Sequence, residues 1–434
     1  MLKKIIVWIL TVESKLILKK YKPFIVAVTG SVGKTSTKDA IFCILKNSEK
    51  HARKSEKSMN SEIGLPLTII GVPNAWKSVG GWTENILTGL KLIVLKNEYP
   101  TCLILEVGAD HPGDIKRVAT WLKPDIAVIT KISRTPVHVE FFKSPEEVFE
   151  EKVSLAENVK IGGNVILFAD DEKIVSIIER VKVRNAQVIT YGRSDIATVR
   201  GSNDAVLYEE IDGVKRPTGF TFKLDISGNS IPVIIQDSLG ISTMYSLLAA
   251  GAVAKARNVS SGTIVRSVGE YMQPHGRMNI IRGLHGSTLI DDTYNSSPDA
   301  VVAALDTIER LETGGRKIVV LGDMMELGKH SGDEHRRIGK EVVGKVDMLV
   351  TVGPRSKMVA ETAVINGLDA SKVKILDVST EVASYLAPQL VAGDVVLLKG
   401  SQSTRMERAT KELMLEPEKA GELLVRQEEE WEGR

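Results

Sequence analysis

From Phe24 onward, short runs of apolar residues alternate with longer stretches in which apolar residues recur every third or fourth position. The first pattern is typical of buried strands, and the second is typical of the helices that cover them. The apolar runs predict strands at Ile25–Thr29, Cys102–Val107, Ile126–Thr130 and Asn164–Phe168. The periodic stretches predict helices at Lys34–Lys46, Pro112–Leu122, Pro145–Asn158 and Glu172–Val181. This order predicts a doubly wound parallel sheet, which binds its ligands at the carboxyl ends of the strands.

The pattern changes between Ala197 and Gln236, where β-branched residues alternate with polar ones. Asp212-Gly213 and Gly228-Asn229 interrupt this segment, and both pairs favour the tight turns of β-hairpins. We therefore expect an antiparallel β appendage to the first sheet. Helices are then predicted at Ser242–Arg257 and Ser260–Tyr271.

A turn-rich stretch, Gln273-Pro274-His275-Gly276-Arg277, precedes a second α/β pattern and is interpreted as a hinge. Strands are predicted beyond it at Thr288–Ile290, Lys317–Leu321, Met348–Val352, Val373–Leu376 and Val395–Leu398. Helical stretches separate these strands, which predicts a second, Rossmann-like α/β unit. The predicted organisation is an amphipathic segment (1–23), a central unit (24–277), a C-terminal unit (278–415) and an acidic tail (416–434) that we expect to be frayed.

The composition excludes some classes of protein without naming a partner. Hydrophobic residues make up 43% of the chain and charged residues 26%, with 57 basic against 55 acidic side chains. This balance is typical of a folded protein rather than a disordered one or one that coats nucleic acid, so no nucleic-acid partner is expected. Cys43 and Cys102 lack the spacing of a metal or redox motif. A reducing compartment, and hence the cytoplasm, is the expected location.

The N-terminal segment carries an apolar run from Ile5 to Leu10 with lysines around it. The run is too short to span a bilayer, and no cleavage site of small residues follows it, so secretion is not expected. Two interpretations stay open at this point. The segment forms a basic amphipathic helix that lies on a membrane surface, or it forms a helix that packs on the next unit.

The strongest chemical signal lies where the first strand gives way to a helical pattern. Gly30 and Gly33 would let backbone N–H groups turn toward phosphate oxygens. Lys34 would reach the β- and γ-phosphates of ATP, and Thr35 would offer its hydroxyl to Mg²⁺. The strict Walker pattern has glycine where Val28 stands, and a plain strand–turn–helix corner is the competing interpretation. The predicted nucleotide contacts are Thr29, Gly30, Ser31, Val32, Gly33, Lys34, Thr35 and Ser36.

The loop reads TGSVGKTSTKD, and further motifs follow it along the chain. They are NSEIGLPLT at 60–68, EVGADHPG at 106–113, His138 with Glu140 and Phe142 ahead of Lys152, IDDTYNSSPDA at 290–300, VLGDMMELG at 320–328 and LLKGSQSTRMER at 397–408. In this order they resemble the Mur ligases. The DMMELG and NSSPDA stretches favour the branch that adds D-alanyl-D-alanine to the peptidoglycan precursor. The resemblance implies a central ATP-binding Mur ligase domain at 24–277 and a C-terminal Mur ligase domain at 278–415.

The resemblance also implies a chemistry, in which ATP activates a carboxylate as an acyl phosphate that then passes to an amine. Lys152 matches the position of a carbamylated lysine, whose side chain ends in a carboxylate-like metal ligand. The implied ligands of Mg²⁺ are Thr35, Glu106, His138 and Lys152. The implied catalytic residues are Lys34, His138, Lys152 and Arg277. The other implied contacts are Asn60 and Ser61 for the acyl group, Arg277, Asp291, Tyr294 and Asn295 for the nucleotide, and Lys399 for the carboxylate of the amine.

The implied substrates are a peptide-precursor carboxylate and an amino acid or dipeptide amine such as D-alanyl-D-alanine. Mur ligases normally hold the uridine-diphosphate end of the precursor with an N-terminal domain, and we expect this chain to lack it because the loop begins after 28 residues. The segment Gly71–Tyr99, with Trp76 and Trp82, looks longer than the family's equivalent. It is interpreted as a substitute substrate or membrane surface, in which residues 1–20 and 76–95 touch the lipid, or as an insertion packed on the core.

Two other functions stay open. One is a P-loop NTPase with a regulatory or transport role, which would not need the pair His138 and Lys152 or the hinge residue Arg277. The other is a Mur-like ligase for a substrate outside peptidoglycan. In each case we expect the chain to act as a monomer.

Overall fold

The computed structural model describes residues 2–49, 51–56, 59–76, 78–211 and 213–431 of the chain. Two α/β units follow one another, and each is built on a largely parallel sheet. This confirms the predicted fold class, a doubly wound central domain with an antiparallel appendage followed by a Rossmann-like unit. The predicted strands of the central unit begin and end within one residue of those observed.

The central sheet places the strand before the glycine loop in its middle. Its strands are β1 (Phe24–Thr29), β2 (Ala52–Lys54), β3 (Cys102–Glu106), β4 (Ile126–Ile129), β5 (Asn164–Phe168), β6 (Gln187–Gly192), β7 (Val199–Ile211), β8 (Val214–Ile226) and β9 (Asn229–Gln236). Their spatial order is β2-β3-β1-β4-β5-β6-β7-β8-β9. The pairs up to β6 with β7 are parallel, and β7, β8 and β9 form the predicted antiparallel appendage. Asp212, in the first predicted hairpin turn, lies outside the described residues.

Helices cover both faces of this sheet. They are α1 (Leu2–Tyr21), α2 (Lys34–Leu45), α3 (Gly64–Ile70), α4 (Val79–Val94), α5 (Asp114–Leu122), α6 (Pro145–Glu157), α7 (Glu172–Val175), α8 (Ile178–Lys182), α9 (Ile241–Ala256) and α10 (Ser261–Gly269). At the start of α6, the Ser144 side chain accepts a hydrogen bond from the Glu147 N–H, and proline occupies the first turn. The helix predicted at Glu172–Val181 is wrong as a single element. It is divided into α7 and α8 at Ser176, whose hydroxyl donates to the Lys173 carbonyl and competes with the helical pattern.

The C-terminal unit contains every strand that the sequence predicted for it, and one more. The strands are β10 (Asn279–Arg282), β11 (Thr288–Asp292), β12 (Lys317–Gly322), β13 (Met348–Val352), β14 (Val373–Leu376) and β15 (Val395–Lys399). Their order is β10-β11-β15-β12-β13-β14, and the unpredicted β10 pairs antiparallel with β11 at the edge. The helices are α11 (Pro298–Glu309), α12 (Ser331–Val342), α13 (Lys357–Ile365), α14 (Glu381–Leu386), α15 (Met406–Leu413) and α16 (Ala420–Leu423).

The N-terminal segment forms one continuous helix, α1, that packs against α3 and α4. Ile6, Leu10 and Ile17 lie in the core of the central unit, which confirms that one face of the segment packs on the protein. α4 occupies most of the segment 71–99, and its buried Asn85 donates to the Pro73 carbonyl. None of the helices in the described part of the chain is both long and apolar enough to cross a bilayer.

The expectation of a frayed tail is wrong for the residues up to 431. Ala420 and Leu424 are buried in a hydrophobic cluster of the C-terminal unit. The Arg426 guanidinium donates to the carbonyls of Thr293 and Tyr294 and lies 3.3 Å from the carboxylate of the buried Glu407. Glu418, Glu422, Glu428 and Glu429 are exposed to solvent, whereas spaced apolar residues and one arginine attach the tail.

We expect Arg426→Ala to release this tail. Glu407 is 0% exposed, and removing one of its cationic partners leaves a partly compensated buried charge that costs about 3 kcal/mol. Thermal unfolding should therefore begin at a lower temperature, and limited proteolysis should cut after residue 415 before it cuts elsewhere. Lys411→Ala, on the exposed face of α15, is the matched control. Equal melting and cleavage in both variants would contradict this role for Arg426.

Candidate active site

The glycine loop leaves the carboxyl end of β1 between two neighbouring strands. β1 pairs with β3 on one side and with β4 on the other, so the loop emerges at the centre of the sheet. Gly30 has a φ of 149°, and a Cβ atom there would lie 1.9 Å from the Thr130 hydroxyl oxygen. Gly33 has a φ of 84° at the start of α2. Both positions therefore require glycine for a steric reason.

The loop is held by backbone hydrogen bonds and leaves the first turn of α2 open. The N–H groups of Ser31 and Val32 donate to the Lys131 carbonyl at 2.9 and 3.1 Å. No side chain caps the N-terminus of α2, whose first amides lack helical partners and carry the positive end of the helix dipole. Lys34 donates to the Gly30 carbonyl at 3.1 Å, and burial lowers the pKa of its ammonium group while Glu106 opposes that shift. These features suit the phosphates of a nucleotide.

The loop forms one wall of a cleft of about 750 Å³ between the two units. A cavity of this size accommodates a nucleotide together with part of a second ligand. The predicted residues that line it are Gly30, Ser31, Val32, Gly33, Lys34, Thr35, Asn60, Glu106, His138, Lys152, Arg277, Tyr294 and Asn295. The structure thus brings together positions that are separated by more than 250 residues in the sequence.

Glu106 lies beside the loop because of the register between β1 and β3, in which it pairs with Val28. Its carboxylate accepts a hydrogen bond from the Thr35 hydroxyl at 3.0 Å on one oxygen and from the Asn60 amide at 3.0 Å on the other. The carboxylate is 1% exposed. The hydroxyl and the carboxylate together offer hard oxygen atoms of the kind that Mg²⁺ prefers.

His138 connects the two units. Its Nδ1 lies 3.0 Å from the Glu326 carboxylate of the C-terminal unit, and its Nε2 lies 3.7 Å from the Asp110 carboxylate. The hydrogen bond with His138 lowers the pKa of Glu326. His138 and Glu326 both have positive φ angles, 68° and 63°. Such backbone conformations are uncommon outside glycine and are maintained only where the surroundings enforce them, which is frequent at functional sites.

Lys152 projects from α6 into the same cleft. Burial, together with a smaller contribution from the nearby Lys34 ammonium, lowers the pKa of its amine to about 7. A substantial fraction of the amine is therefore neutral near neutral pH. The preceding Glu151 points elsewhere and accepts hydrogen bonds from the N–H groups of Gly113, Ile115 and Lys116 at the start of α5. That contact anchors α6 and fixes the direction in which Lys152 points.

Arg277 and Tyr294 face each other across the hinge, with the guanidinium carbon 4.1 Å from the ring centroid. The Arg277 Nε atom is buried and has no hydrogen-bond partner, and neither has the Ser31 hydroxyl. Both atoms belong to residues that line the cleft. Unpaired buried donors are costly, so their presence fits a site that receives an anionic ligand such as a polyphosphate.

Several residues that the sequence predicted to contact ligands are not among those that line the cleft. Thr29 is 0% exposed within β1, and the Ser36 carbonyl accepts from the Tyr271 hydroxyl inside the fold. The Ser61 hydroxyl accepts from the Gly64 N–H and caps α3 locally. Asp291 is fully buried against Thr293 and Thr410.

Lys399 is also absent from the residues that line the cleft. Its ammonium lies 2.6 Å from the Asp292 carboxylate and also donates to the Asn295 carbonyl at 3.0 Å. The two side chains meet because β11 and β15 pair with Asp292 opposite Lys399. With 1% of its side chain exposed, Lys399 supports the backbone of Asn295 rather than presenting a charge to an incoming amine substrate.

The structure adds cleft residues to which the sequence analysis gave no role. They include Asp110, Met325, Glu326, Ser401, Gln402, Ser403, Arg405 and Trp431. The motifs VLGDMMELG and LLKGSQSTRMER contain most of them, so a signal was present without an assignment to single residues. Trp431 could not have been found, because nothing in an acidic tail indicates that it folds back on the cleft.

The protein side chains alone do not form a closed metal site. Among the described residues, no three side chains of histidine, cysteine, aspartate or glutamate cluster closely enough to hold an ion. Thr35 and Glu106 would therefore share Mg²⁺ with nucleotide oxygens and water, as is usual for this cation.

The two units also match known families. A model of the Mur ligase middle domain matches residues 28–254, which is more than half of the chain. A model described as Mur ligase, glutamate ligase domain, matches residues 276–402. The first match ends at residue 254 and the second begins at residue 276.

Curated relatives and solved structures agree with these matches. The chain is 26% identical to the UDP-N-acetylmuramoyl-tripeptide--D-alanyl-D-alanine ligase of Bacillus subtilis, over 91% of this chain and 76% of that protein. It is 28% identical to the enzyme of the same name from Mycobacterium tuberculosis, over 87% of this chain and 70% of that protein. Its fold is similar to that of MurF from Acinetobacter baumannii, with a TM-score of 0.75 at 24% identity, covering 94% of this chain and 80% of that one.

A second structural neighbour contains a nucleotide. It is the MurF ligase from Thermotoga maritima in complex with ADP, with a TM-score of 0.75 at 23% identity, covering 95% of this chain and 84% of that one. The family models, the curated relatives and the solved structures all span both units. The chain therefore belongs to the Mur ligase family and is an ATP-dependent ligase of that type.

Proposed function

We propose that this protein uses ATP to activate the carboxylate of a cell-wall peptide precursor and joins it to the amine of D-alanyl-D-alanine or a similar dipeptide. The observation that carries the proposal is the cleft in which Lys34, Glu106 and Lys152 of the central unit face Tyr294 of the C-terminal unit. The choice of substrates is supported by the names of the curated relatives, which the chain matches over about nine-tenths of its length. Two free, buried cysteines are consistent with work in the reducing interior, where ATP is available.

The proposed reaction has two bond-forming steps. A carboxylate oxygen of the donor attacks the γ-phosphorus of ATP, and the bond to the β,γ-bridging oxygen breaks to release ADP. The amine then attacks the acyl carbon, and phosphate leaves with one oxygen from the donor carboxylate, while the amine gives up a proton. Negative charge gathers on the transferred phosphoryl group, so cationic groups in a water-poor cleft accelerate the first step.

The residues of the cleft divide this work between them. Lys34 and the first turn of α2 grip the β- and γ-phosphates, and Arg277 approaches them from the hinge through its unpaired Nε. Asn60 donates a hydrogen bond to Glu106 and lines the cleft, where it would contact the acyl group of the donor. Tyr294 and Asn295 hold the nucleoside from the C-terminal unit. Two units must therefore close on the ligands before chemistry begins.

Magnesium has a place in this arrangement. Thr35 and Glu106 would hold one ion, and His138 with a carbamylated Lys152 would hold a second, each supplying positive charge next to the phosphates. Lys152 suits carbamylation because it is buried in the cleft near Lys34. A carbamate on Lys152 would place a negative charge beside the Lys34 ammonium, where a Lys152 ammonium would be repelled. The lowered pKa of its amine adds support, since only the neutral amine captures carbon dioxide.

The first test concerns Lys34 and the formation of an acyl phosphate from the donor carboxylate. With a donor labelled with ¹⁸O in its carboxylate, the released phosphate should carry one labelled oxygen per turnover, because that oxygen leaves with the phosphate. Lys34→Ala should lower the rate of ADP release by about a hundredfold, since it removes the charge that faces the β- and γ-phosphates. The exposed Lys46→Ala is the matched control. Release of ADP from ATP alone at the full rate would favour a regulatory or transport NTPase instead.

The second test concerns the hinge arginine. Arg277→Ala should lower kcat/KM for Mg-ATP by about a hundredfold, because the unpaired donor and the charge above Tyr294 are both lost. Arg282, in β10, has an exposed side chain and provides the control. The variant Arg282→Ala should keep the kcat/KM of the wild type. Steady-state kinetics with varied Mg-ATP provide the measurement. If both variants kept the same kcat/KM, Arg277 would not contact the nucleotide.

The third test concerns Lys152. Protein incubated with ¹³C-bicarbonate should show a carbamate carbon by NMR, and Lys152→Met should lack that signal because it has no amine. Turnover should fall by about a hundredfold or more in Lys152→Met, with thermal melting used to confirm that this variant is folded. The buried hydrophobic replacement avoids leaving an unpaired polar atom. An unchanged NMR signal, or unchanged turnover, in Lys152→Met would disprove the assignment.

A further inference from the structure

The outer faces of α1 and α4 expose large apolar side chains that no other part of the described chain covers. They are Ile5, Trp8, Val12 and Leu16 from α1, and Val79, Leu87, Leu90 and Val94 from α4. Trp8 is 67% exposed and Val94 is 76% exposed. Together these eight side chains are called the α1–α4 face. Apolar residues exposed singly are ordinary on protein surfaces, but a contiguous set on neighbouring helices marks an interaction surface.

The spacing of these residues gives each helix two apolar sides. On α1 the exposed residues recur at intervals of three or four, which places them in one stripe, while Ile6, Leu10 and Ile17 form the buried stripe on the other side. On α4 the exposed stripe lies opposite the buried Asn85 and Gly89. Packing on the core accounts for the buried stripes. It does not account for the apolar residues of the exposed stripes.

The two helices lie side by side, so their stripes form one surface. A Cβ atom at Gly89 of α4 would lie 2.2 Å from the carboxylate of Glu13 on α1, so the Glu13 side chain packs directly on the backbone of α4. At their carboxyl ends, the Lys20 ammonium donates to the carbonyls of Leu92, Ile93 and Leu95. The helices are therefore fixed relative to one another, and the stripes do not separate.

The charges that border this surface are almost all positive. Lys4, Lys15 and Lys19 follow one row of α1, on the side of the stripe away from Glu13 and α4, and Lys91 borders the stripe of α4. Among the described side chains of the two helices, the acidic ones are Glu13, which is 3% exposed, and Glu84. The combination of an apolar stripe with a lysine border matches the boundary between acyl chains and anionic headgroups.

We propose that the α1–α4 face rests on an anionic lipid surface, with its apolar side chains at the level of the acyl chains and its lysines among the headgroup phosphates. A lipid surface accounts for both the flat apolar stripe and the border of lysines. A second copy of this chain would place one lysine border against another, and like charges that face each other oppose association. The lipid is therefore the occupant that the charges favour.

None of the eight side chains of the α1–α4 face is among the residues that line the cleft. The binding of lipid therefore does not rest on the function proposed above.

Flotation with vesicles tests the surface without any substrate. The full chain should float with vesicles of phosphatidylglycerol and phosphatidylcholine, should bind pure phosphatidylcholine weakly, and should release the anionic vesicles as salt is raised. Lys4→Gln with Lys19→Gln should weaken partitioning by about 30-fold, since each lysine near an anionic surface contributes about a factor of five. Trp8→Ser with Leu90→Ser should weaken it by about tenfold or more.

Matched controls use side chains of the same type elsewhere on the surface. Val183→Ser with Ile365→Ser removes two apolar groups that are 86% and 83% exposed, and Lys340→Gln with Lys372→Gln removes two exposed lysines. Both control pairs should bind vesicles like the wild type. Failure of the wild type to float with anionic vesicles would overturn the proposal. Equal losses of vesicle binding in the test pairs and the control pairs would also overturn it. So would a wild-type dimer in solution that the double variant Trp8→Ser with Leu90→Ser dissociates.

Measurements of Mg-ATP binding and ligase activity on the same variants distinguish a failure of the lipid-binding proposal from a failure of the proposed function. Binding of Mg-ATP should be equal in the wild type and in both test pairs, because neither pair touches the cleft. Vesicle binding without ligase activity would refute the proposed function and leave the surface intact. Ligase activity without vesicle binding would refute the surface and leave the function intact.

Discussion

The parallel pairing of β1 with both β3 and β4 is the constraint on which the site depends. It brings the glycine loop to the middle of the sheet, where Gly30 has room only because it lacks a side chain next to Thr130. The same pairing sets Glu106 opposite Val28, so that its carboxylate meets the Thr35 hydroxyl without any further adjustment. A shift of one residue in this register would turn Glu106 to the other face of the sheet and remove the oxygen pair suited to magnesium.

A second level of organisation comes from contacts across the hinge. His138 meets Glu326, and the Thr135 hydroxyl donates to the Glu334 carboxylate at 2.7 Å, so the C-terminal unit touches the loop after β4 in several places. Arg277 lies against Tyr294 on the opposite side of the cleft. These contacts are polar, which suits two units that must separate to exchange ligands and close again for chemistry.

Buried charge in this protein serves two different purposes. Lys399 is matched with Asp292 and stabilises the strand ends beneath the cleft, so its charge is used within the fold. Lys34 and Lys152 face the cleft together, and burial lowers the pKa of both amines. The Lys34 ammonium also favours the neutral form of the Lys152 amine. A bound polyphosphate would add negative charge beside Lys34, which links the affinity for nucleotide to the electrostatics of the loop.

The sequence by itself determined what depends on neighbours along the chain. Most strands, most helices, the hairpins and the glycine loop were predictable because periodicity, turn residues and the steric freedom of glycine act over short distances. The strands β2, β6 and β10 were not predicted. The motifs led to Glu106, His138, Lys152 and Arg277 as cleft residues. Only the tertiary structure decided which side chains reach the cleft and which are used inside the fold, as Lys399 and Asp291 are. The tertiary structure also decided that Glu326 meets His138, that the acidic tail packs on the C-terminal unit, and that one stripe of α1 stays uncovered. The sequence makes several faces of a helix equally apolar or equally charged. Register and packing between distant segments decide which of those faces is buried.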